Sequence, residues 1–472
     1  MDKLSRFLLT AGLVIVITGI SLGIFTGNKV VEMNGPNGMD KIAVRVKNNP
    51  QKAVFTMNDI ADIKNQLGIK ELAISSTVES GVRYENRTTY AKIRGVNYIY
   101  GNFNDIGIKF GNFFSAKNEL RSDPVIVIDL ELALNLFNTD DVVGKKVSLL
   151  GREFTVIGTF QPHGSLDKDG TADKNILERY TDDGIPVAYM PIEVLMDAAS
   201  VPGIEFVQIH IGRQGTLGEN IDKVENALES VGKRTYDYEI TDFNQKQALL
   251  KQLPRLCIFL IGCFPVLLLF RRCRTELTVF YRIIREQLGK DYWTAVIKKN
   301  LADLVKIILL VLGSCIFMFI MWKTVRFDLY VPPEYIAEEL TDARYYSDLF
   351  KDKMIQSNQD ASLILDPSEE LMQAGIKANI LIACIVILIG IPLLYFGIRL
   401  SASDKGSGWK QAAYCGGSIV AALMFTAWAS WYLGMTFVMD VRLLAVSSTY
   451  VISVILDGRY RSILIEKRSV LL

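Results

Sequence analysis

Cysteine is missing from the first half of this 472-residue chain. All six, Cys257, Cys263, Cys273, Cys315, Cys384 and Cys415, lie in or beside apolar runs, and none falls between Asn28 and Lys251. A secreted disulfide scaffold needs them in its polar region, so that class is excluded. No two are spaced C-x-x-C, which argues against zinc or a redox pair. Histidine is almost absent too: His163 and His210 stand far apart, leaving no base for a serine or cysteine triad. Net charge is also lacking, at +1, so nothing suggests nucleic acid as a partner.

Nucleotide and cation motifs fail on inspection. No G-x-x-x-x-G-K-[ST] occurs, so ATP hydrolysis by the usual P-loop route is not expected. Gly144-Lys145-Lys146 lacks the earlier glycine and the hydroxyl, and reads as a β-turn. Asp167-Lys168-Asp169-Gly170 imitates part of a calcium loop. With Gly170 as the invariant glycine, Ser165 falls at the first position and Ile176 at the twelfth, where a bidentate carboxylate is required. No enzyme, cofactor or metal site is therefore expected.

What is present is apolar sequence in long runs. Half the residues are hydrophobic and 22% are charged, a mixture that fits lipid-facing helices joined to globular sequence. Leu8 to Phe25 follows Lys3 and Arg6 and has no A-x-A-like exit, so it reads as an uncleaved span with its amino terminus inside. The second span is about Arg255 to Phe270, with Pro254 in its first turn and a kink at Pro265. Arg271, Arg272 and Arg274 then mark a cytoplasmic end and also suit lipid headgroups. The third span runs from about Leu304 to Trp322, and the fourth from about Ile376 to Ile398, with a kink at Pro392. Between them, residues 323–375 form a segment rich in Asp and Glu, comfortable outside. Runs at Ala412 to Leu433 and Val438 to Leu456 complete six spans; four spans plus a re-entrant hairpin also satisfy the basic flanks. Both termini are expected in the cytoplasm. Gly390 and the pair Gly416-Gly417 suit close helix packing.

Residues 28–253 read as an α/β domain held outside by the first two spans. Ile42, Val44 and Val46 alternate like a strand, and Thr56 caps a helix through Leu67. Leu72 to Val78, Tyr90 to Val96 and Val125 to Asp129 are strand-like, and Glu131 to Phe137 is a short helix. Val147 to Leu150 and Glu153 to Thr159 form a hairpin about Gly151-Arg152. Phe206 to Ile211 is a strand, Leu217 to Val231 a helix and Tyr236 to Ile240 a strand; His163 to Gly184 is a polar loop. The order is a split β-α-β unit with a β-rich insertion.

Six of these pieces occur in an order that resembles MacB-type ABC transporter permeases, whose relatives include LolC and LolE and which share an FtsX-like membrane domain. They are Ile93-Arg94-Gly95-Val96, Gly111-Asn112-Phe113-Phe114, Val125-Ile126-Val127-Ile128, Leu132 to Phe137, Val143 to Val147, and Gly151 to Gly158. The resemblance covers residues 40–255 well and the first three spans moderately. It implies a separate cytoplasmic ABC ATPase, a second permease subunit (identical or paralogous) and mechanical work outside the membrane. It also implies ATPase coupling for the connecting helix 271–300. There Arg274-Thr275-Glu276-Leu277 matches an R-R-E-I-like element, with Arg272 beside it in the same role, and Leu288-Gly289-Lys290-Asp291 matches an L-G-A-S-like turn more loosely. The alternative is an FtsX-like regulator of an extracytoplasmic partner such as a wall hydrolase, with the acidic segment as the docking surface. The family has a short loop where residues 323–375 stand, and fewer spans.

Overall fold

The computed structural model describes residues 3–35, 38–47, 53–161, 184–210, 219–288, 292–293, 300–332, 335–337, 339, 341–360, 365–401, 408–435 and 437–453. The polar loop at 163–183, the partial calcium motif, Gly289 and the tail beyond 453 lie outside those residues. The chain divides into two compact units. One comprises Met1–Thr26, Lys251–Leu329 and Ala378–Leu472; the other comprises Gly27–Leu250 and Tyr330–Lys377.

The second unit is built on a ten-stranded mixed sheet. Its strands are β1 (Lys41–Val46), β2 (Leu72–Tyr84), β3 (Arg87–Val96), β4 (Ile108–Gly111), β5 (Val125–Asp129), β6 (Lys146–Leu149), β7 (Arg152–Phe160), β8 (Val187–Pro191), β9 (Phe206–His210) and β10 (Tyr238–Asp242). The order is β10-β1-β9-β2-β3-β8-β5-β7-β4, with β6 pairing β2 and β7. The inserted strands β4–β7 therefore extend the one sheet and build no separate layer.

One face of the sheet packs against helices. Ile42 and Val44 join Ile74, Val207 and Ile209 under Ile63 and Val224, which come from the helices Met57–Leu67 and Glu219–Ser230. Further along, Ile93, Ile126 and Val156 meet Leu132 and Leu195 of the helices Leu130–Phe137 and Ile192–Ala199. Each fully buried aliphatic side chain contributes about 1.5–3 kcal/mol against exposure. Thr56 and Asp59 close a capping box, and Gly68 ends that helix at φ 62°.

The strands Ile108–Gly111 and Val187–Pro191 and the helix Ile192–Ala199 go beyond the sequence reading, and several boundaries differ from it, two of them for a clear local reason. The strand seen as Leu72–Val78 continues to Tyr84, because its polar half pairs residue for residue with Arg87–Ala91 in a hairpin. The last strand starts at Tyr238, because Thr235–Asp237 is a 3-10 turn.

Among the described residues, five helices are long and apolar enough to cross a membrane, and Val441–Ser453 is a shorter apolar helix. Pro254 does not open the second of these helices. That helix begins at Phe243, directly after β10, and runs unbroken to Leu288 with Pro254 and Pro265 inside it. Its start is capped by Asp242, which accepts from the Asn244 N–H at 2.8 Å. The connecting segment 271–288 is therefore the same helix as the span. Likewise the helix carrying the fourth apolar run starts at Pro367, and a π-helical turn, Val386–Gly390, lies just before Pro392.

Glycines set the closest approach among the spans. A Cβ on Gly390 would stand 2.9 Å from Val16, and one on Gly397 would stand 2.7 Å from the Leu9 backbone. From the opposite helix, Gly12 and Gly19 meet Leu394 and Val386 in the same way. Gly416 and Gly417, also expected to serve close packing, would have nothing within 4 Å.

Candidate functional site

The sheet face opposite the helices is where chemistry collects. Register puts Lys41, Ala43 and Arg45 of β1 on this face, because Ile42, Val44 and Val46 take the other. Gln208 is opposite Ala43. Arg94 pairs across with Tyr189, and an aromatic cluster of Tyr100, Phe114, Phe160 and Tyr189 covers this part of the face. Lys41, Arg45, Arg94 and Gln208 are all buried.

What buries them is the end of the acidic segment, Leu365 to Glu369. Asp366 sits at its centre. It accepts the Tyr100 hydroxyl at 2.5 Å and the Gln208 amide at 3.3 Å, and the Arg94 guanidinium lies 3.6 Å away. Arg94 also donates to the Leu365 carbonyl at 2.9 Å. The same carboxylate accepts from the Ser368 N–H at 3.1 Å and the Ser368 hydroxyl at 2.8 Å, which caps the helix that begins at Pro367. Asn104 ties the cluster together, taking Lys41 Nζ at 2.8 Å and exchanging amide bonds with Gln208 at 3.0 and 3.1 Å. Arg45 pairs with Glu239, and its Nε lies 3.7 Å from Glu369.

Burial shifts these groups toward their neutral forms. The Lys41 ammonium is pulled down to about 8 by desolvation, with Asp366 and Glu369 working against the shift. Desolvation pushes the Glu369 carboxyl up to about 8, while Arg45 opposes and Asp366 reinforces. Tyr100 lies well above its ordinary value, through burial and then the neighbouring Asp366 charge. Desolvating ions is costly, so such a cluster specifies a docking geometry more than it stabilises a fold. Chemically the arrangement holds a carboxylate: a guanidinium, a phenol and an amide converge on Asp366. Among the described residues no group of His, Cys, Asp and Glu could hold a metal.

The residues singled out in sequence lie elsewhere. Arg272, Arg274, Glu276 and Leu277 lie in the Phe243–Leu288 helix, and Leu288 ends it. Arg274, Leu277 and Leu288 are exposed, whereas Arg272 and Glu276 are half-buried. Arg274, Leu277, Tyr281, Arg285 and Leu288 recur at helical spacing, giving one exposed basic and apolar stripe. The socket itself escaped sequence reading. Asp366-Pro367-Ser368-Glu369 does carry a helix-start signature, a capping Asp followed by Pro at the first position, and this was the available signal.

Residues 7–230 match the family model described as the MacB-like periplasmic core domain. The uncharacterized ABC transporter permease YknZ of Bacillus subtilis is 28% identical over 160 residues, which are 32% of this chain and 40% of that protein. The macrolide export ATP-binding/permease protein MacB of Bdellovibrio bacteriovorus is 28% identical over 121 residues, 25% of this chain and 19% of the relative. The matched part thus spans less than half the length of these curated relatives. Among solved structures, the periplasmic region of MacB from Actinobacillus actinomycetemcomitans is 16% identical, covering 46% of this chain and 94% of that one, with a TM-score of 0.36. The extracellular domain of a noncanonic ABC-type transporter YknZ from Gram-positive bacteria is 19% identical, covering 43% and 99%, with a TM-score of 0.33. Residues 7–230 thus carry a MacB-like periplasmic core domain, and the described residues also include five helices long and apolar enough to cross a membrane.

Proposed function

We propose that this chain is the permease subunit of a MacB-like ABC transporter. A separate cytoplasmic ATPase hydrolyses ATP, and the permease carries that work to the extracytoplasmic sheet domain for export or release of a substrate. Two permease subunits, identical or paralogous, make the membrane assembly. Both chain termini are cytoplasmic, and Arg272, Arg274, Glu276, Leu277, Leu288 and Gly289 meet the ATPase. Three names among the curated relatives, two MacB proteins and the pyoverdine exporter PvdT of Pseudomonas aeruginosa, join an ATP-binding part to a permease. This sequence carries no phosphate-binding motif of that kind, which supports a separate ATPase chain.

The observation that carries this reading is the 46-residue helix Phe243–Leu288. It starts at the last sheet strand, contains a complete apolar run, and ends in the basic stripe that contains Arg274 and Leu277. Such a helix is one continuous element, in which Pro254 and Pro265 each remove one backbone hydrogen bond. The test is Glu276→Lys in the permease reconstituted with its ATPase. Charge reversal is expected to abolish stimulation of ATP hydrolysis while leaving the ATPase's own basal rate intact. Normal stimulation would remove this helix from the coupling path.

A further inference from the structure

The socket on the sheet face is built like a binding site, and its occupant comes from the same chain. Between Leu250 of the sheet unit and Tyr330 the chain leaves that unit altogether, then returns to place Leu365–Glu369 against β1, β3 and β9. The contact is polar. Apart from half-buried Leu365, the segment offers the sheet a carboxylate, a hydroxyl and a second carboxylate. The rest of this face closes with aromatic rings instead.

The fit is also incomplete. Glu369 Oε2 is buried without a hydrogen-bond partner, and so is Arg94 Nε. Arg94 reaches Asp366 at 3.6 Å and Arg45 reaches Glu369 at 3.7 Å, both longer than a direct charge-assisted hydrogen bond. A buried ion pair returns its desolvation cost only when every lone pair is well placed. Here several are not, so the docked and undocked states lie closer in free energy than an apolar seam of equal size would allow. Polar sockets of this kind also stay selective, because an occupant without the carboxylate leaves the guanidinium unpaired.

We propose that the sheet face carries a carboxylate-recognition site, formed by Arg94, Tyr100 and Gln208 and reversibly occupied by the chain's own Leu365–Glu369 segment as a strap. Asp366 is the recognised group. The strap opens the helix that carries the fourth apolar run, so its release frees that helix start and exposes a basic face able to take an acidic peptide segment. This inference needs no ATPase and stands or falls apart from the transport reading.

The probe is a fluorescent synthetic peptide of residues Leu363 to Glu370, offered to the full-length protein in detergent. The double variant Asp366→Asn, Glu369→Gln weakens the resident strap. It should bind the peptide at least tenfold more tightly than the wild-type chain does. A peptide carrying Asn in place of Asp366 should bind at least tenfold more weakly than its parent. Equal binding by variant and wild type, or equal binding of the two peptides, would overturn the proposal. Should the double variant fail to fold, Ser368→Cys in an otherwise native chain gives a second reading. Excess peptide is expected to speed reaction of the introduced thiol with a small maleimide several-fold, above the background of the native cysteines. An unchanged rate would show a strap that never leaves, and would equally overturn the idea.

Discussion

Tyr100 donates its hydroxyl to Asp366 across 2.5 Å, although 266 residues separate them in sequence. The bond joins the sheet of the MacB-like domain to the segment between the third and fourth apolar runs. Losing it leaves Asp366 with Arg94, Gln208 and Ser368 and one donor fewer, at a cost of about 1–3 kcal/mol for a buried acceptor deprived of a donor. Tyr100→Phe is therefore expected to raise amide exchange selectively at residues 365–370. Exchange in β5, whose side chains are all buried, should not change. Uniformly faster exchange would mean that the hydroxyl supports the whole sheet instead.

Strap docking should depend on pH through Glu369. Docking raises its carboxyl to about 8, so the docked state holds a proton that a free carboxylate gives up near 4.5. That contribution is complete below about 4.5 and is lost as pH rises through about 8. Arg45, Glu239, Asp366 and Lys41 are the charges around Glu369. Docking is thus expected to weaken as pH rises from about 4.5 to about 8. Amide exchange of the strap, corrected for intrinsic rates, should rise over that range in the wild type and stay flat in Glu369→Gln.

Gly95 tests the packing of the sheet's helical side. A Cβ there would lie 2.7 Å from Leu195 Cδ2, 2.8 Å from Leu195 Cβ and 3.2 Å from Ile192 Cα. The flexible tip can move, but the Leu195 Cβ and the Ile192 backbone cannot without shifting the helix. Gly95→Ala is expected to cost about 1–3 kcal/mol through overpacking. Limited proteolysis of the full chain should show faster cutting in the sheet unit and none in the apolar helices.

Topology has a direct check. Ser347 is exposed on the helix Ala343–Asp360, between the third and fourth apolar runs. A cysteine placed at Ser347 should react in intact cells with a membrane-impermeant thiol reagent. Labelling only after lysis would reverse the orientation proposed for the sheet domain.

Sequence made the sheet's helical side legible and left its strap side obscure. Alternation of Ile42, Val44 and Val46 marked β1, and Thr56 with Asp59 marked a helix start, because local chemistry decides both. Lys41 and Arg45 alternate with those residues, so local pattern makes theirs the solvent face; a segment more than 300 residues away buries it. No window of sequence can report that. Pro254 misled for a related reason. Proline is common in the first turn of a helix, but here Asp242 had already capped the helix upstream. The fourth span was placed by its apolar run, whereas its helix starts where Asp366 caps it. Arg272, Arg274, Glu276 and Leu277, the residues proposed for coupling, lie on the Phe243–Leu288 helix, where Arg274 and Leu277 are exposed.

The central claim is that this permease works only with a separate ATPase. The most direct measurement is ATP hydrolysis by the full-length chain, purified from its native membrane under mild detergent and reconstituted in liposomes. A co-purifying ABC ATPase is expected, with vanadate-sensitive hydrolysis that falls severalfold when the permease is removed from that ATPase. A permease that retains no ATPase, or an ATPase whose rate is the same with and without it, would contradict the claim.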